Sequence, residues 1–131
     1  MKTLIVEDDF TSRLFLQTFL SRYGECHIAV NGVEAVEAFR AAAGNGSSYD
    51  LICMDIMMPE MDGQEALGQI RALEEARGVR PPHGVKIVMT TALKEMKEVF
   101  RSFNALCDAY LAKPIDTAEL LARLRSLGLT E

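Results

Sequence analysis

Five short aliphatic runs alternate with longer segments of helical period, and this alternation constrains the fold more than any other feature of the chain. Each run is too short for a helix and is rich in residues that favour strands. Strands that alternate with helices pair in parallel through right-handed crossovers, with helices on both faces of the sheet. We therefore predict an α/β, doubly wound, five-stranded parallel sheet, with strands at residues 3–6, 27–30, 51–54, 85–89 and 109–112.

Five further segments carry apolar side chains at the spacing of one helix face. In chain order their marker residues are Phe15, Phe19 and Leu20; Val33, Val36 and Phe39; Leu67, Ile70 and Leu73; Met96, Val99, Phe100 and Phe103; and Leu120, Leu121, Leu124 and Leu127. The fifth helix follows a capping-box pattern, in which Glu119 comes three residues after Asp116. Residues 44–48 and 78–84 are rich in residues that break helices and strands, and we predict loops there.

The length of 131 residues and the apolar content of 49% suit one globular domain and leave no room for a second. We expect a single domain over residues 1–131 with no effector domain. The formal charge of −5 gives no attraction to nucleic acid or to an anionic membrane, so we expect neither as a direct partner. No signal peptide and no membrane span are recognisable, and we expect a cytoplasmic protein.

Cys26, Cys53 and Cys107 are predicted to be reduced and structural.

Polar residues stand directly after several of the predicted strands, at the edge of the sheet formed by the carboxyl ends of the strands. In an open parallel sheet, ligands bind beyond the carboxyl ends of the strands. The residues found at those ends are Glu7, Asp8 and Asp9 after the first strand, Asp55 after the third, Thr90, Thr91 and Ala92 after the fourth, and Lys113 and Pro114 after the fifth. If the first and third strands are neighbours, at least two of the acids converge on Asp55.

Such a cluster of carboxylates has a chemical consequence, because the charges repel one another unless a cation neutralises them. An all-oxygen cluster favours Mg²⁺, Mn²⁺ or Ca²⁺ over zinc, and Mg²⁺ typically takes one or two carboxylates plus water. Lys113 and the Thr91 hydroxyl add groups that suit anionic oxygens. The site is therefore predicted to bind a phosphoryl group, with Asp55 as the nucleophile and with the metal and Lys113 stabilising charge on the phosphoryl oxygens.

Four motifs at these strand ends resemble the receiver domains of two-component signalling. They are Leu-Ile-Val-Glu-Asp-Asp at residues 4–9, the segment from Asp50 to Gly63 around Asp55, Val-Met-Thr-Thr-Ala at 88–92, and Tyr-Leu-Ala-Lys-Pro at 110–114. The resemblance covers nearly the whole chain. It implies a flavodoxin-like fold with strand order 2-1-3-4-5 and five helices, in a stand-alone, single-domain receiver of the chemotaxis type.

The resemblance also implies roles for the acids. Asp55 matches the phospho-acceptor, which receives its phosphoryl group from a phosphohistidine on a sensor histidine kinase or a histidine phosphotransfer protein. Asp8 would bind Mg²⁺ directly and Glu7 through water, and the backbone carbonyl of Met57 would be a further ligand. Asp9 falls one place beyond the acidic pair of the family and is given no role.

Three residues match the family's switch and phosphoryl-binding positions. Thr91, rather than Thr90, matches the switch hydroxyl because an alanine follows it. Tyr110 matches the aromatic residue whose rotamer is coupled to that hydroxyl. Lys113 matches the phosphoryl ligand, and the proline after it implies a cis peptide that directs the lysine inward.

Output is expected to pass to a downstream protein through the face formed by the fourth helix, fifth strand and fifth helix. The basic residues Lys94, Lys97 and Arg101 on the fourth helix are either a solvated face or part of that docking surface. The domain would catalyse only its own phosphorylation and dephosphorylation.

Two apolar residues, Met57 and Leu93, occupy the positions two places after the acceptor and two places after the switch threonine. In the family these positions flank the path of the water that hydrolyses the acyl phosphate. Apolar side chains offer that water no hydrogen bond and shield the phosphorus. We therefore predict slow autodephosphorylation.

Three alternatives remain open on the sequence. A phosphohydrolase of the haloacid-dehalogenase type would carry a general acid where this chain has Met57. A flavodoxin-like cofactor binder would need a phosphate loop after the first strand, where the acids of this chain repel phosphate. A degenerate receiver would bind partners without being phosphorylated.

Overall fold

The computed structural model describes residues 1–80, 83–92 and 106–131, and its centre is a five-stranded parallel sheet of order β2-β1-β3-β4-β5. The strands are β1 (Thr3–Val6), β2 (Cys26–Ala29), β3 (Leu51–Asp55), β4 (Lys86–Ala92) and β5 (Ala109–Lys113). The helices of the described residues are α1 (Phe10–Leu20), α2 (Gly32–Gly44), α3 (Gly63–Ala76) and α4 (Thr117–Ser126), with a short 3₁₀ turn at Ser21–Tyr23. The predicted fold class and strand order are confirmed.

One predicted helix cannot be compared with the structure. The stripe Met96, Val99, Phe100 and Phe103 lies outside the described residues, as do Leu93 and the basic residues Lys94, Lys97 and Arg101. The helix labelled α4 is therefore the one that the sequence predicted as the fifth. Within the described ranges, no helix combines the length and the apolar character needed to cross a bilayer.

The strands differ from their predicted bounds mainly at β4, which runs to Ala92 instead of ending at residue 89. Pairing on both sides explains the extension. On one side Thr90 pairs with Asp55 of β3, and on the other Ala92 pairs with Lys113 of β5. β3 and β5 each extend one residue further than predicted, so Asp55 and Lys113 are the last residues of their strands. β2 begins and ends one residue earlier than predicted.

Each described helix begins at a side chain that accepts a hydrogen bond from the first turn. Asp9, Asn31, Asp62 and Asp116 are these N-cap residues. A cap of this kind satisfies backbone donors that have no partner within the helix. The capping residue predicted for the last helix is confirmed, and α2 continues through Gly44 into the start of the predicted 44–48 loop.

The helices cover both faces of the sheet, as predicted. α2 and α3 pack on one face through residues such as Val36, Phe39, Leu67 and Ile70. α1 and α4 pack on the other through residues such as Leu16, Leu20, Leu120 and Leu124. Because side chains alternate along a strand, each strand residue contributes to one of these two layers.

A partly buried charge cluster joins α3 to the amino-terminal ends of β4 and β5. Arg71 donates to the carboxylates of Glu74 at 2.7 Å and Asp108 at 3.0 Å, and to the carbonyls of Leu106 and Val85, both at 2.8 Å. The second Glu74 oxygen accepts from the Val85 amide at 2.6 Å. The cluster fixes the end of the sheet opposite the carboxyl ends of the strands, and nothing in the local sequence pattern had indicated it.

Candidate functional site

Three acids meet at the carboxyl ends of β1 and β3. Asp55 ends β3, and Glu7 and Asp8 directly follow β1, its neighbour in the sheet. One carboxylate oxygen of each lies within 4.8 Å of the others. Glu7 and Asp55 are 1% and 6% exposed, whereas Asp8 is exposed. The structure therefore brings together the three acids that the sequence singled out.

Lys113 reaches this cluster from the end of β5. Its Nζ lies 2.7 Å from Glu7 Oε1 and 3.3 Å from Asp55 Oδ2. The peptide bond to Pro114 is cis, as the resemblance implied. The lysine thus places one positive charge between two buried carboxylates.

The sheet explains why these side chains share one side. Ile5, Cys53 and Leu111 belong to the core layer under α1 and α4. Because side chains alternate, the residues two places further along β3 and β5, Asp55 and Lys113, are directed to that same face. The strand ends therefore present acceptor and lysine to one cleft.

Burial raises the pKa of the Glu7 carboxyl, and the Asp55 carboxylate adds to the rise, while the hydrogen bond from Lys113 opposes it. Burial alone would lower the pKa of Lys113. The carboxylates of Glu7 and Asp55 outweigh that effect, and the pKa of the lysine is raised. Lys113 therefore remains charged at neutral pH and partly neutralises the cluster.

The donor set fits a hard divalent cation. All the clustered ligand atoms are carboxylate oxygens, which Mg²⁺ prefers. Both Glu7 oxygens already accept hydrogen bonds, from Lys113 Nζ at 2.7 Å and from the Asp9 amide at 3.2 Å. The Asp8 carboxylate is exposed, and Asp55 Oδ1 accepts from the Met57 amide at 3.3 Å. The exposed Asp8 carboxylate is thus the most open to an ion, and Asp55 is held less closely than Glu7, because Lys113 Nζ lies 3.3 Å from Asp55 Oδ2 but 2.7 Å from Glu7 Oε1.

Asp9 contributes to the helix that follows this cluster. Its carboxylate accepts from the Ser12 amide at 2.9 Å and so caps α1. Hydrogen bonding to the Ser12 backbone and hydroxyl lowers the pKa of the Asp9 carboxyl. This accounts for the third acid of the run, which the sequence left without a role.

Thr91 and Tyr110 lie on the other face of the sheet. Thr91 follows Thr90, the strand partner of Asp55, and its hydroxyl donates to the Ala92 carbonyl at 3.4 Å. By alternation Thr91 shares a face with Met89, which belongs to the layer under α2 and α3. Tyr110 pairs with Met89 and packs against the same layer, so the two predicted switch residues share a face on adjacent strands.

Tyr110 also contacts a cysteine that the sequence assigned only a structural role. Burial raises the pKa of the Tyr110 phenol, and a hydrogen bond with the Cys107 thiol adds to the rise. Cys107 is itself buried. The thiol therefore forms part of the environment that holds the tyrosine ring.

Of the two residues predicted to slow dephosphorylation, only Met57 falls within the described residues. It is 60% exposed and stands two places after Asp55. Its side chain is apolar and exposed close to the acceptor, and its role in dephosphorylation stays a prediction.

The sequence missed one residue beside the loop that follows Asp55. The amide of Gly32, at the start of α2, donates to the carbonyl of Met61 at 3.0 Å. Asn31 lies next to it and caps α2. The only hint in the local sequence was an asparagine-glycine pair at the start of a helix. It could not reveal the contact with Met61, because Met61 lies 29 residues after Gly32 in the chain.

Residues 3–125 match the model of a family described as response regulator receiver domain. The hybrid signal transduction histidine kinase B of Dictyostelium discoideum is 37% identical over 94% of this chain, which spans 6% of that protein. Other curated relatives are transcriptional regulators, and the chain spans about half of their length.

Two solved structures are similar over nearly the whole chain. The receiver domain of the sensor histidine kinase PA1611 from Pseudomonas aeruginosa, with magnesium in its active site cleft, is 28% identical. Its TM-score is 0.76, with 97% of each chain covered. The Saccharomyces cerevisiae receiver domain of Ssk1, crystallised with the histidine phosphotransfer protein Ypd1, is 29% identical. Its TM-score is 0.81, covering 98% of this chain and 88% of the other.

Proposed function

This chain belongs to the response regulator receiver family, and we propose that it is a signalling switch that accepts a phosphoryl group on Asp55. The observation that carries the proposal is the charge arrangement around this residue. The Asp55 carboxylate lies 3.3 Å from the Lys113 ammonium and beside the carboxylates of Glu7 and Asp8. Such a site can hold a divalent cation and stabilise negative charge on a phosphoryl group.

The proposed donor is a phosphohistidine on a sensor histidine kinase or a histidine phosphotransfer protein. An Asp55 carboxylate oxygen forms the new O–P bond while the N–P bond of the phosphohistidine breaks, and the imidazole nitrogen keeps the electron pair. The complex of a similar receiver domain with Ypd1 supports this donor class. The domain catalyses only its own phosphorylation and dephosphorylation, and we place it in the cytoplasm with its donor.

Mg²⁺ is the proposed cofactor, and when bound it would neutralise charge on the phosphoryl oxygens. Asp8 and Asp55 would hold it directly and the Met57 carbonyl would be a third protein ligand. Glu7 would act through water, because both of its oxygens already accept hydrogen bonds. The magnesium ion in the cleft of the similar PA1611 receiver supports this choice of metal.

Lys113 would act on the phosphoryl group directly. Its Nζ is within 3.3 Å of Asp55 Oδ2, so it can donate to an oxygen of a phosphoryl group attached there. Its contact with Glu7 at 2.7 Å fixes the ammonium in this position. The pair therefore orients the lysine before the phosphoryl group arrives.

Thr91 and Tyr110 are the proposed switch. A phosphoryl group on Asp55 would draw the Thr91 hydroxyl toward the carboxyl end of the sheet, away from the face that it shares with Tyr110. The space that Thr91 leaves would let Tyr110 bury further. Their shared face on adjacent strands supports such coupling. The change would reshape the surface formed by β5, α4 and the predicted helix that precedes β5, where a downstream protein would dock.

Phosphorylation by a small phosphodonor tests the proposal without a kinase. Wild-type protein incubated with Mg²⁺ and acetyl phosphate should gain one phosphoryl group, and Asp55→Asn should gain none. Asp50→Asn is a matched control, because Asp50 lies at the opposite end of β3 from Asp55, where its carboxylate accepts from the Lys2 amide at 2.7 Å. If the wild-type protein remains unmodified while a known receiver is labelled in parallel, the proposal is contradicted. The result would favour a degenerate receiver, which binds partners without being phosphorylated.

A further inference from the structure

Gly32 stands where no side chain fits. Its amide donates to the Met61 carbonyl at 3.0 Å, so α2 begins in direct backbone contact with the loop of residues 56–62. A Cβ built on Gly32 would overlap the Met61 carbonyl oxygen and lie 3.0 Å from the carbonyl carbon. These neighbours are backbone atoms, which cannot rotate away as the end of a side chain can. A larger residue at position 32 must therefore move the loop or the helix start.

The same loop is held at two places: its base, where both of its chain ends lie beside Asp55, and its far end, residues 60 and 61, which contacts the start of α2. Near Asp55, the Ile56 amide donates to the Thr90 carbonyl at 3.0 Å, and the Gly63 amide donates to the Ile56 carbonyl at 2.8 Å. At the far end the contacts come from α2. Besides the bond from Gly32, the side-chain amide of Asn31 lies 3.4 Å from a carboxylate oxygen of Glu60.

The far end of the loop also has a backbone shape that needs support. Glu60 has a φ of 67°, in the left-handed region that residues with a side chain rarely adopt. Surrounding contacts must hold such a conformation in place. The helix start can do so because Asn31 is itself fixed, its side chain accepting from the Glu34 amide at 2.8 Å. The Asn31-Gly32 pair is thus a rigid support for a strained loop.

The loop matters because it carries Met57. The Met57 amide donates to Asp55 Oδ1 at 3.3 Å, and its carbonyl is the proposed third protein ligand of Mg²⁺. A shift at Met61 is transmitted along a short segment whose other end is anchored to the sheet. The carbonyl and the acceptor carboxylate would then lose the mutual geometry that an octahedral cation requires.

We propose that Gly32, together with Asn31 beside it, positions the Mg²⁺ ligands by holding the loop of residues 56–62 in its metal-binding shape through the Met61 carbonyl and the Glu60 side chain. The inference rests on the proposed function, since it concerns the same metal site. It adds to the metal site two residues at the start of α2, which would contact neither the cation nor the phosphoryl group.

Replacing the glycine tests this directly. Gly32→Ala should raise the Mg²⁺ dissociation constant, measured by calorimetry, about tenfold or more, as loss of a residue that orients metal ligands typically does. In the metal-free protein, the amide of residue 32 should also exchange with solvent faster than in wild type. Acetyl phosphate labelling should fall at low Mg²⁺ and recover at high Mg²⁺, since the acceptor itself is intact.

Gly44→Ala is the matched control. Gly44 ends the same helix, and a Cβ there meets nothing within 4 Å. This variant should bind Mg²⁺ as wild type does. A Gly32→Ala protein with an unchanged dissociation constant, beside a wild type that binds Mg²⁺, overturns the inference and leaves the proposed function standing. A wild type that does not bind Mg²⁺ overturns both.

A second variant decides the matter if Gly32→Ala does not fold. Asn31→Ser keeps an oxygen that can cap α2 but removes the amide that contacts Glu60. It should raise the Mg²⁺ dissociation constant by a smaller factor than Gly32→Ala would. An unchanged value would then overturn the inference.

Discussion

Lys113 Nζ lies 2.7 Å from Glu7 Oε1, closer than its 3.3 Å distance to Asp55 Oδ2. The lysine at the end of β5 therefore pairs most closely with the acid that follows β1, although β3 and β4 stand between these strands in the sheet. This contact connects the two sides of the cleft above the acceptor. It also keeps the lysine charged and oriented where a phosphoryl oxygen on Asp55 would lie.

The first prediction concerns that lysine. Lys113→Met should lower the rate of phosphorylation by acetyl phosphate about 10²-fold or more, because it removes a donor to charge that develops on the phosphoryl oxygens. Rates would be followed by separating the phosphorylated and free protein over time. Lys2→Met controls for the loss of one charge, since Lys2 bonds to Ser47 and lies outside the cluster. Equal rates for the two variants would contradict the role of Lys113.

The second prediction concerns the lifetime of the phosphoryl group. Met57 is 60% exposed beside the acceptor and has no group that could orient a water. Purified phosphoprotein in Mg²⁺ should therefore lose its label over minutes or longer. The double variant Met57→Asn with Leu93→Glu should lose it faster, because both positions then carry polar side chains of the kind that the family's resemblance associates with orienting the attacking water. Loss within seconds in wild type, or the same rate in the double variant, would refute slow autodephosphorylation.

The third prediction concerns stability at the other end of the sheet. Arg71→Met should lower the free energy of unfolding by about 3–5 kcal/mol, because it leaves the charge of the buried Glu74 carboxylate without the arginine that neutralises it. Arg40→Met removes an arginine from an exposed pair with Glu37 and should cost about 0–1 kcal/mol. Urea denaturation of both variants would measure the difference. Similar losses in the two variants would show that the partly buried cluster is not the stabilising element.

The fourth prediction concerns thiol reactivity and pH. Burial raises the pKa of Cys53 to about 12, with a smaller contribution from Cys26. Since the thiolate is the reactive form, Cys53 should resist a thiol reagent in mildly alkaline buffer until the protein unfolds. Cys26 is partly exposed and should react first, although burial raises its pKa as well. Mass spectrometry of the native, labelled protein would identify the modified residues, and early labelling of Cys53 would contradict the structure.

The fold could be predicted because its signals are local. Short aliphatic runs and helical stripes are set by neighbouring residues, and the acids and the lysine stand directly at strand ends. Sheet geometry then places Glu7, Asp55 and Lys113 at one edge of the sheet, and the strand order implied by the family resemblance makes the strands of Glu7 and Asp55 neighbours. The first acid run also contained a helix cap, Asp9, which short-range capping rules could have identified.

Other features depend on contacts between distant parts of the chain. The extension of β4 to Ala92 follows from pairing on both sides, which a window of sequence does not contain. Arg71 looks like an ordinary helix residue until Asp108 and the carbonyls around it are in place. Gly32 looks like the start of a helix until the Met61 carbonyl is seen against it. The direct pairing of Lys113 with Glu7 is likewise set only by the folded cleft.

The most direct test of the proposed function is to identify the residue that carries the phosphoryl group. Protein phosphorylated by acetyl phosphate in Mg²⁺ would be reduced with borohydride, which converts an aspartyl phosphate to homoserine, and the digest would be sequenced by mass spectrometry. We expect homoserine at position 55 and at no other aspartate. Homoserine at Asp8 or Asp9, or phosphate retained on a serine or threonine with Asp55 unchanged, would contradict it.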